Sequence, residues 1–296
     1  TNNRKIKIPV SSSVTGAGFN GLSAPRTVDL NDDGTVDLIY AGDLHGNVWK
    51  FDVRGTTSAE WVVGLSGAPL FKAVAADGKP QPIVAAPALS LHPTKNKVLD
   101  ESNDGKADNT DVVMVMVGTG KFLEQCDSVG ACDGEASQQS FYGLWDSNAA
   151  ITSRTDLLEQ KIGTYTAADV SQLNTRLGLD GSAGKTALTL SDLAMSRCIL
   201  PRNDAGVFGL CSDTGEFKQR QINWDDEETT LYGWRTDLPI TGERHVGTPR
   251  IAANMVLFNT LMPDTNSNVC GFKANSSLMA MNFASGNQSM QRFDVK

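Results

Sequence analysis

Short apolar runs separated by glycine, asparagine, aspartate and proline dominate the chain. Residues 36–40 (VDLIY), 47–53 (NVWKFDV), 112–117 (VVMVMV), 141–145 (FYGLW), 255–260 (MVLFNT) and 278–283 (LMAMNF) are rich in β-branched, aromatic or methionine side chains. Runs of this length bounded by turn residues read as strands. Helical spacing is confined to the middle. It predicts helices over 153–161 (SRTDLLEQK), 166–178 (TAADVSQLNTRLG) and 190–197 (LSDLAMSR), the second opening on a capping-box pattern and stopping at a glycine. The region about 150–225 therefore reads as a partly helical insertion on a β scaffold.

A weak internal repeat joins the strand pairs. Each copy is an apolar strand, a short polar turn with or without an insertion, and a second strand with an aromatic or apolar end. The copies are VDLIYAGDLHGNVWKFDV (36–53), VVMVMVGTGKFLE with SFYGLWD after an insertion, and MVLFNTLMPD with SSLMAMNFASG after another. A two-strand unit cannot bury both its faces alone, so repetition points to the blades of a β-propeller, with a β-sandwich as the structural alternative.

Charge and composition narrow the class. Lys and Arg number 26 against 34 Asp and Glu, a net charge of −8. Nucleic-acid and anionic-membrane surfaces are disfavoured, because phosphate binding needs clustered cations. No apolar run reaches the ~18 residues of a membrane-spanning helix. The opening TNNRKIKIPV has no apolar signal core, and the chain reads as part of a longer protein. Five cysteines permit fifteen two-bridge pairings. Cys126 with Cys132 and Cys198 with Cys211 are the local pairs, neither at zinc-ligand spacing, and disulfides there imply an oxidising compartment. Cys270 is left over.

The sharpest chemical signal is DLNDDGTVD at 29–37. Asp29, Asn31, Asp33 and Asp37 fall at positions 1, 3, 5 and 9, with Gly34 at the sharp turn and Thr35 offering its carbonyl. Alternating hard oxygens on a tight loop are what calcium selects, and three carboxylates this close repel one another without a cation. The loop lacks the glutamate that closes an EF-hand at position 12. A second loop, DESNDGKAD at 100–108, places Asp100, Ser102, Asp104 and Asp108 at the same positions. Ser102 is the poorer donor, and Lys106 sets a cation beside this weaker candidate. GTGK at 118–121 fails as a phosphate loop, because Val115 stands where the first glycine belongs. The histidines are scattered, Trp224-Asp225-Asp226-Glu227-Glu228 reads as a solvated face, and Glu243 and Arg244 could pair with each other.

Several stretches in shared order carry a family resemblance. They are GLSAPRTVDLNDDGTVDLIYAGDLHGNVWKFDV (21–53), QPIVAAPAL (81–89), VMVGTGKFLE (115–124), SFYGLWD (140–146), GWRTDLPITGER (233–244), and VLFNTLMPD with CGFKANSSLMAMN (256–282). The chain resembles the C-terminal propeller of the PilC/PilY family of type IV pilus tip adhesins and biogenesis factors. The resemblance implies a mainly β chain forming one modified propeller of quinoprotein-like type over 1–296, and a calcium loop on Asp29, Asn31, Asp33, Thr35 and Asp37. It further implies a non-enzymatic role in pilus assembly, retraction and surface attachment at the bacterial cell surface, pilus tip, outer membrane or periplasm. The implied partners are pilus subunits (minor pilins) and host or abiotic receptors. Arg54-Gly55-Thr56 is the nearest string to an integrin-type Arg-Gly-Asp, so integrin binding does not carry over. Two other readings compete: a quinoprotein-like dehydrogenase propeller, which lacks a vicinal cysteine pair here, and an integrin-like FG-GAP calcium propeller, which repeats its loop in several blades.

Overall fold

The computed structural model describes residues 5–10, 20–100, 107–128, 136–182, 184–193, 197–226, 230–263 and 274–287. Among these, the strands form three sheets. The first contains β1 (Arg26–Val28), β2 (Leu38–Gly42) and β3 (Asn47–Asp52), and both β4 (Val62–Val63) and β5 (Phe71–Lys72) pair with the far edge of β3. The second runs β10 (Arg197–Ile199), β9 (Leu158–Thr164), β11 (Gly233–Asp237), β8 (Ser140–Asp146), β7 (Val113–Gly118) and β6 (Ala88–Leu91). The third is β12 (Arg250–Ala252), β13 (Met255–Pro263) and β14 (Ala274–Asn282). Among the described residues, the named strands pair antiparallel except β9 with β11. The three sequence repeats are the central hairpins β2–β3, β7–β8 and β13–β14, so the weak repeat corresponds to one supersecondary unit used once per sheet.

The first strands of the three sheets converge. β6 lies beside both β1 and β12, and Arg26 Nε donates to the Pro87 carbonyl at 3.3 Å. Arg26, Val28, Leu89, Arg250 and Ile251 line a shared cleft of about 930 Å³. Sheets that meet at their inner strands and stack by their faces have the geometry of neighbouring blades.

Alternation along β7 shows how the stack holds together. Val113, Val115 and Val117 pack with Leu38, Tyr40, Val48 and Phe71 of the first sheet. Met114 and Met116 point the opposite way and pack with Val256, Phe258, Met279 and Met281 of the third. Successive side chains of a strand point to opposite faces, so a continuous apolar run is what a strand covered on both faces requires. β8 behaves alike. Tyr142 and Leu144 join the first face, while Phe141 stacks on Phe258 with ring centroids 3.8 Å apart. The outer face of the first sheet, with Trp49 and Phe51, is covered by Ile8 and Val10.

Polar links are buried within the same interface. Lys50 Nζ lies 2.6 Å from Asp146 Oδ2, both side chains nearly inaccessible, and the Tyr40 hydroxyl donates to the same carboxylate at 2.6 Å. Burial and the Asp146 charge push the Tyr40 phenol well above its ordinary value.

The middle of the chain departs in part from the pattern read from it. Helix α1 (Ala167–Leu177) forms as expected. Thr166 and Asp169 make a reciprocal capping box, and Gly178 closes the helix at φ 65°. Residues 153–161 do not form a helix. Ser153 and Asp156 cap a single 3-10 turn (Arg154–Asp156), and the chain then enters β9, which pairs with Trp234–Asp237. Pairing with β11 overrides the local helical propensity. In 190–197, a 3-10 turn spans Leu190–Leu193 and strand β10 begins at Arg197, with 194–196 outside the described residues. β9 and β10 thus extend the second sheet from within the segment read as an insertion. Cys198 on β10 is bonded to Cys211. Cys126 is also disulfide-bonded, while Cys132 and Cys270 lie outside the described residues.

Two tight contacts generate measurable consequences. Gly143 stands opposite Trp234 in the β8–β11 register, and a Cβ there would meet Trp234 Nε1 at 2.3 Å and Met116 Sδ at 3.0 Å. Gly143→Ala is expected to cost about 1–3 kcal/mol through overpacking, read as a lowered denaturation midpoint at unchanged m value. His245 is fully buried over Gly118, edge-on to Phe141 and Phe258, and neither ring nitrogen finds a hydrogen-bond partner among the described residues. Burial holds its pKa down to about 4 against an ordinary 6.5. The unfolded chain therefore binds a proton at this residue between those values that the folded chain refuses, so the contribution of His245 to stability is complete above pH 6.5 and is lost as pH drops toward 4. Urea melts across that window should show wild type losing about 1 kcal/mol per pH unit relative to His245→Leu. Parallel pH profiles for the two proteins would refute it.

Candidate metal centre

The 29–37 loop joins β1 to β2 at the rim of the first sheet. Its ends are tied by Asp37 N donating to the Val28 carbonyl at 3.0 Å and Val53 N donating to the Asp37 carbonyl at 2.9 Å. The turn itself needs left-handed backbone at Asp32 (φ 59°) and Gly34 (φ 87°). Glycine adopts that conformation without a Cβ penalty, and aspartate tolerates it better than most residues.

The side chains fold inward on their own backbone. Asp29 accepts from Asp33 N at 3.2 Å and Gly34 N at 2.8 Å. Asp33 accepts from both the backbone and the hydroxyl of Thr35, each at 2.7 Å, and Asn31 Nδ2 reaches the other oxygen of Asp33 at 3.3 Å. Asp37 Oδ2 accepts from Leu30 N at 2.6 Å. Asp37 is buried while Asp33 is exposed.

The electrostatics follow from that layout. Hydrogen bonds from Thr35 hold the Asp33 carboxyl below its ordinary value. Burial pushes Asp37 up; the Leu30 N–H opposes this, the charges on Asp29 and Asp33 push the same way, and Arg54 opposes it. The structure thus brings Asp29, Asn31, Asp33, Thr35 and Asp37 into one loop whose carboxylates feel one another. Their hard-oxygen chemistry fits calcium, and a carboxylate that accepts from backbone N–H keeps further lone pairs for a cation. Among the described residues, however, no three acidic, histidine or cysteine side chains converge into a finished metal cage. The residue types suit calcium, and the side chains would have to close upon it.

The second loop is described only at its ends. Asp108 N donates to the Leu99 carbonyl at 2.8 Å, which brings the two ends together beside Asp100. Ser102, Asp104 and Lys106 lie outside the described residues.

Arg54 is the residue that reading the sequence for calcium ligands passed over. Its guanidinium bonds Asp52 at 2.6 Å and the Ala107 carbonyl at 2.5 Å. The Asp52 hydrogen bond raises its pKa against burial, and the charges of Asp37 and Asp108 add to the rise. Arg54 therefore stands electrostatically between the two acidic loops, and nothing in the Arg-Gly-Thr string signals it. Asp43 was also missed. Its buried carboxylate accepts from Asn20, His45, Asn47 and Trp49 and fixes the β2–β3 turn. The Asp-x-x-Gly-Asn spacing of that turn was the available sign. Glu243 and Arg244 do not pair with each other: Glu243 pairs with Arg197, and Arg244 lies 3.7 Å from Asp127.

Comparison with known proteins places this geometry. A family model described as the PilY1 beta-propeller domain matches residues 4–172, more than half of the chain. The chain is 26% identical over 311 residues to the type IV pilus biogenesis factor PilY1 of Pseudomonas aeruginosa strain UCBPP-PA14, covering 94% of this chain and 22% of that protein. It is 28% identical over 297 residues to a PilY1 homolog of Xylella fastidiosa strain Temecula1, covering 98% of this chain and 18% of the other. The crystal structure of the P. aeruginosa PilY1 C-terminal domain matches with a TM-score of 0.62 at 23% identity, over 97% of this chain and 50% of that one. At that identity the match establishes a shared fold. The chain spans about a fifth of the length of these curated relatives. The converging sheets are thus the blades of a β-propeller, and the chain belongs to the PilY1 beta-propeller family.

Proposed function

We propose that this chain is the propeller portion of a type IV pilus biogenesis factor, that it binds calcium in the 29–37 loop, and that it works without catalysis. Family membership supports the pilus role, and the relatives are named as biogenesis factors. The observation that carries the calcium reading is the position of Asp37. A carboxylate is buried at the root of a loop that gathers two more, and the nearby Arg54 is already engaged with Asp52. A bound calcium ion would supply the positive charge that lets all three ionise together.

Residues of the loop have defined parts in this reading. Asp29, Asn31 and Asp33 offer side-chain oxygens, Thr35 offers its carbonyl, and Asp37 anchors the site to the sheet. Asp33, Thr35 and Asp37 also form one wall of an apolar groove of about 620 Å³ with Ile6, Ile8, Val36 and Trp61. Fixing the loop fixes that wall. Calcium would couple to partner binding only by favouring the conformer the partner selects. Minor pilins and host or abiotic surface receptors are the proposed partners, and the cell surface or pilus tip is the proposed location. Roles in surface attachment and retraction belong to the same proposal.

Calorimetry tests it. Wild type should bind calcium, and Asp33→Ala and Asp37→Ala should each lose at least about tenfold in affinity while keeping the far-ultraviolet spectrum of the fold. Capture of minor pilins should weaken when calcium is chelated. Undiminished calcium affinity in both variants would remove this loop as the site.

A further inference from the structure

At the rim of the second sheet, aromatic side chains surround a cavity of about 720 Å³ whose lining includes no residue of the 29–37 loop. Trp145, Trp224 and Tyr232 line it together with Lys95, Asp225 and Asp226. The two indoles meet nearly at a right angle (80°), with centroids 5.9 Å apart, and Tyr232 lies almost parallel to Trp145. Trp145 Nε1 donates to the Asp111 carbonyl at 2.7 Å, and Trp224 Nε1 donates to the Ala284 carbonyl at 3.0 Å. With both N–H groups spent inside the protein, the indoles have only their π systems to offer a ligand.

The chain already demonstrates the kind of group those rings attract. Lys95 Nζ sits 4.3 Å from the centroid of the Trp145 ring, the distance of a cation–π contact. The segment carrying it is held by His92, whose Nδ1 accepts from Thr94 N at 3.3 Å and Lys95 N at 2.9 Å. His92 is itself packed between Trp145 and Trp224, at 4.8 and 4.6 Å. Burial and the Lys95 charge keep it neutral, down to about 4, so it adds no cation of its own at neutral pH. Trp224 is therefore a wall of this cavity, not part of a solvated acidic face.

We propose that this pocket binds a quaternary ammonium group, and that Lys95 occupies its place until one displaces it. The carboxylates of Asp225 and Asp226 at the lining supply charge, and the perpendicular indoles supply negative π surface. A quaternary ammonium is preferred over a primary one for a physical reason. Its methyl groups spread the charge and weaken its hydration, so it loses less on leaving water, whereas a primary ammonium must compete with Lys95 on equal chemical terms.

The experiment is a tryptophan-fluorescence titration of the whole chain with choline chloride at constant ionic strength. A saturable change is expected. Lys95→Ala, a change at an exposed side chain, should tighten choline binding roughly three- to fivefold, the worth of an exposed cation–π contact. Trp224→Ala should weaken it about tenfold or more. Co-sedimentation with phosphatidylcholine vesicles, against phosphatidylglycerol vesicles, identifies the source. Binding to the former assigns a lipid headgroup, and choline binding without vesicle binding assigns a soluble or chain-borne ammonium. No saturable response to choline, a response equalled by ammonium chloride, or a choline affinity unmoved by Lys95→Ala would overturn the proposal.

Discussion

The second sheet is buried on both faces, and the rest of the molecule is arranged around that constraint. Its valines at 113, 115 and 117 need the first sheet, and its methionines at 114 and 116 need the third. Neither neighbour can be removed without exposing a full apolar face, which explains why the repeat unit occurs as a stack. Packing this close also dictates small residues at particular points. Gly143 exists because Trp234 crosses its position, and Gly118 because His245 does. Buried charges between the sheets are held in satisfied sets such as Lys50, Asp146 and Tyr40, in keeping with the cost of a lone buried charge.

Chemistry is displaced to the rims by the same constraint. Interior positions are filled with packing side chains, so the acidic loops and the aromatic pocket lie where strands end. The 29–37 loop is attached to the core through Asp37, whose backbone joins both Val28 and Val53. That single residue links the loop's charge to the sheet's register. Arg54 ties the same rim to Asp52 and to the backbone at Ala107. A cation held between β1 and β2 would thus act on a frame that is already rigid, and would change the loop more than the blade.

Strand content was legible because a strand covered on both faces leaves an unbroken apolar run, as in VVMVMV. Helix α1 was legible because Thr166, Asp169 and Gly178 mark both its ends locally. The stretch after Ser153 misled for an equally physical reason. Its local pattern suits a helix as well as a 3-10 turn followed by a strand, and only the distant β11 decides that residues 158–164 continue as a strand. Loop 29–37 announced itself through alternating side-chain oxygens, whose spacing is local. Arg54's reach to the Ala107 carbonyl and the Trp145–Trp224 corner did not, because those partners lie far off in the chain and no short pattern encodes them.

The proposed role of the 29–37 loop depends on its holding a hard cation. A crystal grown with calcium, with anomalous data collected, measures this directly. The expected result is a single peak with oxygens of Asp29, Asn31, Asp33, the Thr35 carbonyl and Asp37 at about 2.3–2.6 Å. An ordered loop with no peak under saturating calcium, or a peak ligated elsewhere, would contradict it.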